Sequence, residues 1–189
     1  QQVTIPMMHQ TDVFSYLDGG YCQVLELPYV GNQLSLVVFL PKQEDGLAAL
    51  EHALTAQDLT KWFLQWQRRE VVVTLPKFTI TAALMLNEVL SRMGMPLALS
   101  EAADFSGMSD KKALFLSAVV HTASLDVNEE GTEAAAATAI MTAATMSSSP
   151  SIHWPQVIFH ADHPFVFIIR NNNSGTLLFL GRVTQPQPY

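Results

Sequence analysis

The spacing of apolar residues along the chain predicts a protein made mainly of β-strands. Several runs alternate in polarity or are continuously apolar, as strands require. These runs are Val3–Met8 (ending near His9 to Asp12), Tyr21–Leu27, Gln33–Leu40, Glu70–Thr79, Ala113–Val127, Val157–His160, Pro164–Arg170 and Thr176–Val183. The second and third should pair as a hairpin, and so should the last two. Pro76 interrupts the fourth run, which indicates an edge, a bulge or a crossing between two sheets.

Three short helices are predicted between these strands. Residues 47–54 carry leucines at helical spacing, and Thr55 caps a second helix that is rich in tryptophan. Thr81 is predicted to cap a third helix that ends at Gly94. About eight or nine strands against three helices give an α+β fold class.

Two strands are apolar on both faces, residues 34–40 and 165–169, so both of their faces should be covered. Three short helices are too few to cover that much sheet. We therefore expect part of the fold to be missing from this chain.

Composition narrows the class of protein. A chain of 189 residues with 49% hydrophobic and 14% charged residues has the composition of a globular domain with a substantial core. The net charge of −7, with scattered basic residues, disfavours nucleic acid as a partner. The apolar runs are far shorter than the roughly 18 to 20 residues of a membrane span, so no membrane partner is expected. The single cysteine, Cys22, leaves the compartment open.

The stretch Asp126–Met146 is compatible with two conformations. Its four successive alanines favour a helix, whereas its threonines, spaced among small residues, also suit a strand. Such a segment is either an uncommitted surface linker or a conformational switch.

Catalytic and metal-binding chemistry finds little support in the sequence. His160 and His163 are three residues apart, but on an extended chain they point to opposite faces, so no metal site is expected. His121 lies in the middle of a predicted strand and is interpreted as a hydrogen-bonded core residue. The chain has no nucleophile elbow, phosphate-binding loop, dinucleotide fingerprint or paired-cysteine motif. We expect neither an enzyme nor a cofactor.

Several segments carry a family resemblance. The most specific are VNEEGTEAAAAT at 127–138 and FHADHPFVFII at 159–169. Supporting segments are LELPY at 25–29, VFLP at 38–41, TLPKFTI at 74–80, ADFSG at 103–107 and LFLGRV at 178–183. Over essentially its whole length, the chain resembles the C-terminal half of the serpins, a superfamily of serine protease inhibitors, with an inhibitory-type hinge.

The resemblance implies a fold and a mechanism. Residues 1–189 would form the C-terminal part of a single serpin domain, namely part of the main sheet (sheet A) plus sheets B and C, without the helical N-terminal half. Residues 129–153 would form an exposed reactive-centre loop. As in serpins, a protease would cut this loop, which would then insert as a new strand into sheet A.

The resemblance also assigns roles to individual residues. Lys77 and Glu129 match a salt bridge at the top of sheet A, and His121 matches a histidine under its centre. The hinge comprises Glu129, Glu130, Gly131, Thr132, Glu133, Ala134, Ala135, Ala136, Ala137 and Thr138. On a strand, Thr132, Ala134, Ala136 and Thr138 would share the inward face, where only small side chains avoid clashes or unpaired buried charge. Glu133 would face solvent.

The length usual in inhibitory serpins places the scissile bond at Thr145–Met146, with Met146–Ser147 as the second choice. The stretch 145–164 is longer than usual, which leaves Ser151 and His153 as alternative positions. Because residues 130–169 contain no Lys or Arg, a trypsin-like target is disfavoured. An elastase-like or subtilisin-like protease fits better.

The sequence thus predicts a suicide-substrate inhibitor of serine proteases. Two alternatives stay open, a non-inhibitory serpin that acts as a binding or chaperone module, and an inactive fragment that self-associates through unpaired strand edges. The expected partners are a target protease and the missing N-terminal half. The expected location is extracellular, with the cytoplasm as the alternative.

Overall fold

The computed structural model describes residues 4–108, 114–129, 131–132 and 155–185. The strands in these ranges are β1 (Met7–Asp18), β2 (Cys22–Pro28), β3 (Leu34–Pro41), β4 (Gln67–Pro76), β5 (Phe78–Met85), β6 (Val120–Asn128), β7 (Gly131–Thr132), β8 (Val157–His160), β9 (Phe165–Asn171) and β10 (Leu177–Val183). The helices are α1 (Leu47–Ala53), α2 (Ala56–Phe63) and α3 (Asn87–Arg92), with a 3₁₀ turn at Leu97–Leu99. The chain divides into two compact units, one formed by Gln1–Phe78 with Val127–Tyr189 and the other by Thr79–Asp126.

A seven-stranded sheet with the order β10-β9-β3-β2-β1-β4-β8 dominates the first unit. Its neighbouring strands are antiparallel except for β4 and β8, which run parallel. The two hairpins predicted from the sequence are confirmed as β2–β3 and β9–β10, each within a residue or two of its expected bounds.

The core of this unit lies on both faces of β3 and β9, as their two-sided apolar pattern predicts. On one face, α1 and α2 pack against buried residues that include Val37, Phe39 and Ile168. On the other, Phe78 places its ring 5.9 Å from that of Phe165 and 5.6 Å from that of Phe167. Two-sided burial therefore holds the central strands in place.

Pro76 marks a crossing between two sheets, one of the three options that its position in the sequence left open. It ends β4 of the seven-stranded sheet, and β5 then belongs to a three-stranded sheet with the order β5-β6-β7. The residue between these strands is Lys77, whose backbone N–H donates to the carbonyl of Pro6 at 3.1 Å.

Three of the predicted elements differ from the structure. The first strand does not end by Asp12; β1 continues to Asp18 because it pairs with β4 along its length and with β2 at its end. Thr81 does not cap a helix. Its segment forms β5, and α3 begins only at Asn87. The strand expected at 113–127 is shorter and begins at Val120.

Cys22 is free and buried in the core, where loss of hydration raises the pKa of its thiol to about 11.

Within the described ranges, the helices are too short or too polar to cross a lipid bilayer.

Candidate functional site

The sequence-predicted hinge begins as a tight hairpin on the edge of the three-stranded sheet. After β6 ends at Asn128, the chain turns back and β7 runs antiparallel to β6. Val127 pairs with Thr132 and Asn128 pairs with Gly131. Within the predicted hinge, Gly131 and Thr132 are therefore already paired with β6, on the side away from β5.

Lys77 and Glu129 meet beside this hairpin, as the resemblance implies. The Nζ atom of Lys77 lies 2.6 Å from Oε2 of Glu129. Pro76 and Phe78, both fully buried, fix the backbone on either side of Lys77. The hydrogen bond from Lys77, aided by one from the backbone of Glu129 itself, holds the pKa of this carboxyl below its usual range.

His121 is not a core residue in this chain. It is exposed, as are its neighbours Val120 and Thr122 at the start of β6. The interpretation of His121 as a buried, hydrogen-bonded group is therefore wrong here, because this end of β6 lies on the surface of the described chain. Its role in a switch stays a prediction.

The remaining predicted site residues lie outside the described residues. They are the hinge positions Glu130, Glu133, Ala134, Ala135, Ala136, Ala137 and Thr138, the reactive-bond residues Thr145, Met146 and Ser147, and the alternatives Ser151 and His153.

The strand that follows the predicted loop, β8, is held mainly through its backbone. It pairs in parallel with β4 from Val71↔Val157 to Thr74↔His160. The N–H of Ala161 extends this pairing by donating to the carbonyl of Thr74 at 2.9 Å. A side chain from β2 adds a further contact, because Gln23 Nε2 donates to the carbonyl of Ile158 at 3.3 Å. The strand β8, which comes after the predicted loop in sequence, is thus anchored to the seven-stranded sheet.

A histidine at the corner between β8 and β9 adds an anchor that sequence reasoning missed. His163 Nε2 lies 2.6 Å from the backbone carbonyl of Pro41, at the end of β3, and Nδ1 lies 2.7 Å from Asp162 Oδ1. The sequence presents His160 and His163 only as candidate metal ligands, and the described residues contain no group of three or more His, Cys, Asp or Glu side chains placed to bind a metal. The signal available in the sequence was an aspartate directly before a histidine at a proline-bounded corner.

Comparison with known proteins places these features in a family. The family model described as Serpin (serine protease inhibitor) matches residues 1–186. Mouse neuroserpin is 41% identical over 98% of this chain and 46% of its own length. Human leukocyte elastase inhibitor is 43% identical over 97% of this chain and 49% of its own length.

A solved structure agrees with these sequence matches. The crystal structure of human thyroxine-binding globulin complexed with thyroxine has a TM-score of 0.83 and 33% sequence identity, and the match covers 97% of this chain and 47% of that one. The chain spans about half the length of the curated relatives that it matches. Sequence and fold agree, and the chain belongs to the serpin family.

Proposed function

We propose that this chain is the loop-bearing part of a serpin that inhibits serine proteases as a suicide substrate. The observation that carries the proposal is the β6–β7 hairpin. Its register already pairs the hinge residues Gly131 and Thr132 with β6, the strand beside which a cleaved loop would insert.

The register also suggests which hinge side chains insertion would bury. Thr132 pairs with Val127, a residue that is 3% exposed. Because side chains alternate along a strand, we expect the even-numbered positions, among them Ala134, to point to the buried side of Val127. Glu133 would then point to the opposite side. The small side chain of Ala134 suits the buried side, and the charged side chain of Glu133 suits the opposite side.

The driving force of insertion is estimated from its hydrogen bonds. About ten inserted residues, at a net 0.5–1.5 kcal/mol per bond, contribute on the order of 10 kcal/mol. This gain is comparable to the whole stability of a typical domain. It would suffice to displace and deform a protease that is covalently attached to the loop.

The choice of target rests on the absence of Lys and Arg between positions 130 and 169. We propose cleavage at Thr145–Met146, with Met146–Ser147 as the second choice, by an elastase-like or subtilisin-like protease. The relative named leukocyte elastase inhibitor, 43% identical to this chain, supports an elastase-like target. The extracellular location stays a prediction.

We also propose that an N-terminal half of the same fold is a partner of this chain. The four successive β10 side chains Leu177 to Leu180 are all exposed. Successive residues of a strand face opposite sides, so both faces of β10 present apolar surface to solvent. Such a strand needs covering by further structure.

A matched pair of charge substitutions in the full-length protein tests the inhibitory mechanism. Ala134→Lys would place a charge on the inward face of the inserting strand, which should slow insertion of the loop. The protease would then complete cleavage and dissociate before it is trapped, so the protein should behave as a substrate. Glu133→Lys places the same charge on the outward face and should leave inhibition nearly unchanged. The measurement is the number of inhibitor molecules consumed for each protease molecule inactivated. This number should rise at least about tenfold for Ala134→Lys and should stay nearly unchanged for Glu133→Lys. A change of about 1.4 kcal/mol in the free-energy difference between trapping the protease and releasing it is a factor of ten.

The same experiment separates the alternatives. Equal effects of the two substitutions would contradict the proposed register. Wild-type protein that is cleaved without inactivating any protease would favour the non-inhibitory binding module. Elution of residues 1–189 alone as large assemblies in size-exclusion chromatography would favour the self-associating fragment.

A further inference from the structure

One tripeptide in the sequence has the form of an acceptor site for N-linked glycosylation. Asn172-Asn173-Ser174 fits the pattern of asparagine, any residue except proline, and then serine or threonine, and the sequence contains no second match. The tripeptide lies in the turn between β9 and β10. The pattern alone would therefore place a glycan on this turn.

The side-chain amide of Asn172 joins this turn to the turn between β2 and β3. Its Nδ2 atom donates to the backbone carbonyl of Asn32 at 2.9 Å and to the hydroxyl of Ser35 at 2.8 Å. The backbone N–H of Asn172 adds a third bond, to the carbonyl of Gln33 at 2.8 Å. Ser35 is fully buried, and Oδ1 of the Asn172 amide is buried as well. Both hydrogens of the amide nitrogen are therefore used within the protein.

The carbonyl of Asn32 determines which end of the amide faces it. An asparagine amide presents an acceptor, Oδ1, and a donor, Nδ2. A backbone carbonyl only accepts hydrogen bonds, so the atom that faces the Asn32 carbonyl must be Nδ2. The atom to which a glycan would be attached is thus the atom that makes the contact between the two turns.

The other two residues of the tripeptide are also held in place. Asn171 Oδ1 accepts from the backbone N–H groups of Asn173 and Ser174, both at 3.0 Å, which closes a tight turn. The Ser174 hydroxyl, which the acceptor pattern requires, donates to Oγ1 of Thr176 at 2.9 Å. The folded turn therefore presents neither the amide nor the hydroxyl on an extended chain.

Glycosylation would change the atom on which this contact depends. The reaction forms a bond between Nδ2 and C1 of a sugar that is supplied on a lipid pyrophosphate; Nδ2 loses one proton, and the lipid pyrophosphate leaves. The modified nitrogen keeps one hydrogen, so one of its two acceptors loses its donor. An attached glycan is bulky and needs solvent, whereas Nδ2 contacts the fully buried Ser35.

We propose that the fold withholds Asn172 from glycosylation, so that a glycan at this residue and the native contact between the two turns exclude each other. A chain modified before the turns meet cannot form the contact, and a chain that has formed it cannot be modified. The carbohydrate state of Asn172 therefore records whether the chain folded before it met the transferase. The proposal does not depend on protease inhibition.

Expression of the full-length protein through the secretory pathway of a eukaryotic cell tests this exclusion. Mass spectrometry of the peptide that contains Asn172 measures how much of the folded protein carries a glycan there. We expect none in the wild type. Folded protein with a glycan at Asn172 would overturn the proposal.

Asp104→Asn is the matched control, because it completes the same acceptor pattern with Phe105 and Ser106. Asp104 and Ser106 are exposed. Oδ1 of Asp104 accepts from the N–H of Ser106 at 3.0 Å, a bond that an amide oxygen can also make. This variant should carry a glycan at position 104 and none at Asn172, which shows that the same chain met the transferase. Glycans at both positions would contradict the proposal.

The contact itself is tested without any glycan by NMR, through exchange of the Asn172 side-chain hydrogens with deuterated water. Ser35→Ala removes one of the two acceptors and should speed this exchange about fivefold, as expected for loss of one buried hydrogen bond. Ser174→Ala destroys the acceptor pattern but spares the amide contact, so its exchange should match that of the wild type. Equal exchange in Ser35→Ala and wild type would overturn the role given to the contact.

Discussion

Gly181 lies on β10 directly opposite Phe167 on β9, where the sheet has no room for a side chain. A Cβ atom at this position would come within 2.6 Å of the Phe167 ring. The ring cannot easily move aside, because Phe167 is 3% exposed and packs against Phe78. This glycine is needed for space and not for an unusual backbone conformation.

Gly181→Ala is therefore expected to lower the free energy of unfolding by about 1–3 kcal/mol, the usual cost of overpacking a core. Chemical denaturation of the full-length protein measures this change. Gly107→Ala is the matched control, since a Cβ there meets no atom within 4 Å, and it should stay within about 0.5 kcal/mol of wild type. Equal stability of the two variants would mean that the core around Phe167 adapts freely.

At the scale of elements, the Lys77–Glu129 pair joins the crossing between β4 and β5 to the β6–β7 hairpin. The pair lowers the pKa of Glu129, so it stabilises the folded hinge at and above the ordinary titration range of glutamate. The contribution is lost as the pH falls through the depressed pKa of the folded state. The hinge should consequently be held less firmly in acid than at neutral pH.

Lys77→Met should raise the pKa of Glu129 towards its ordinary value, because the ammonium that favours the carboxylate is gone. Titration of the Glu129 side-chain ¹³C signal in wild type and variant measures both midpoints. The same midpoint in the two proteins would show that Lys77 does not hold the carboxylate.

Sequence patterns predicted the elements best where burial and local chemistry agree. β2, β3, β8, β9 and β10 follow from apolar periodicity, and Thr55 caps α2 by accepting from the N–H of Asp58 at 3.2 Å. The segment from Thr81 to Met85 misled because its alanine, leucine and methionine favour a helix, yet it forms β5 of the three-stranded sheet. In residues 81–85, pairing with a strand distant in sequence outweighed the local preference for a helix. In β1, pairing with β4 likewise extends the strand through its polar residues.

At the scale of the whole molecule, the sequence led to the family through its hinge and its C-terminal signature, and the comparisons agree. The Lys77–Glu129 contact was implied by the resemblance alone, because no local pattern links residues 52 positions apart. The corner at His163 required three-dimensional placement, since Pro41 is 122 residues away. The exposure of His121 depends on whether another part of the fold packs over β6. The residues of β6 alone do not show this.

The most direct test of the proposed mechanism is a reaction of the full-length protein with an elastase-like and a subtilisin-like protease, with a trypsin-like protease as the matched control. We expect an SDS-resistant complex with at least one of the first two and none with the control. Mass spectrometry of the released peptide should give Met146 as its first residue. Complete cleavage of the loop with full protease activity and no covalent complex would contradict the suicide-substrate mechanism.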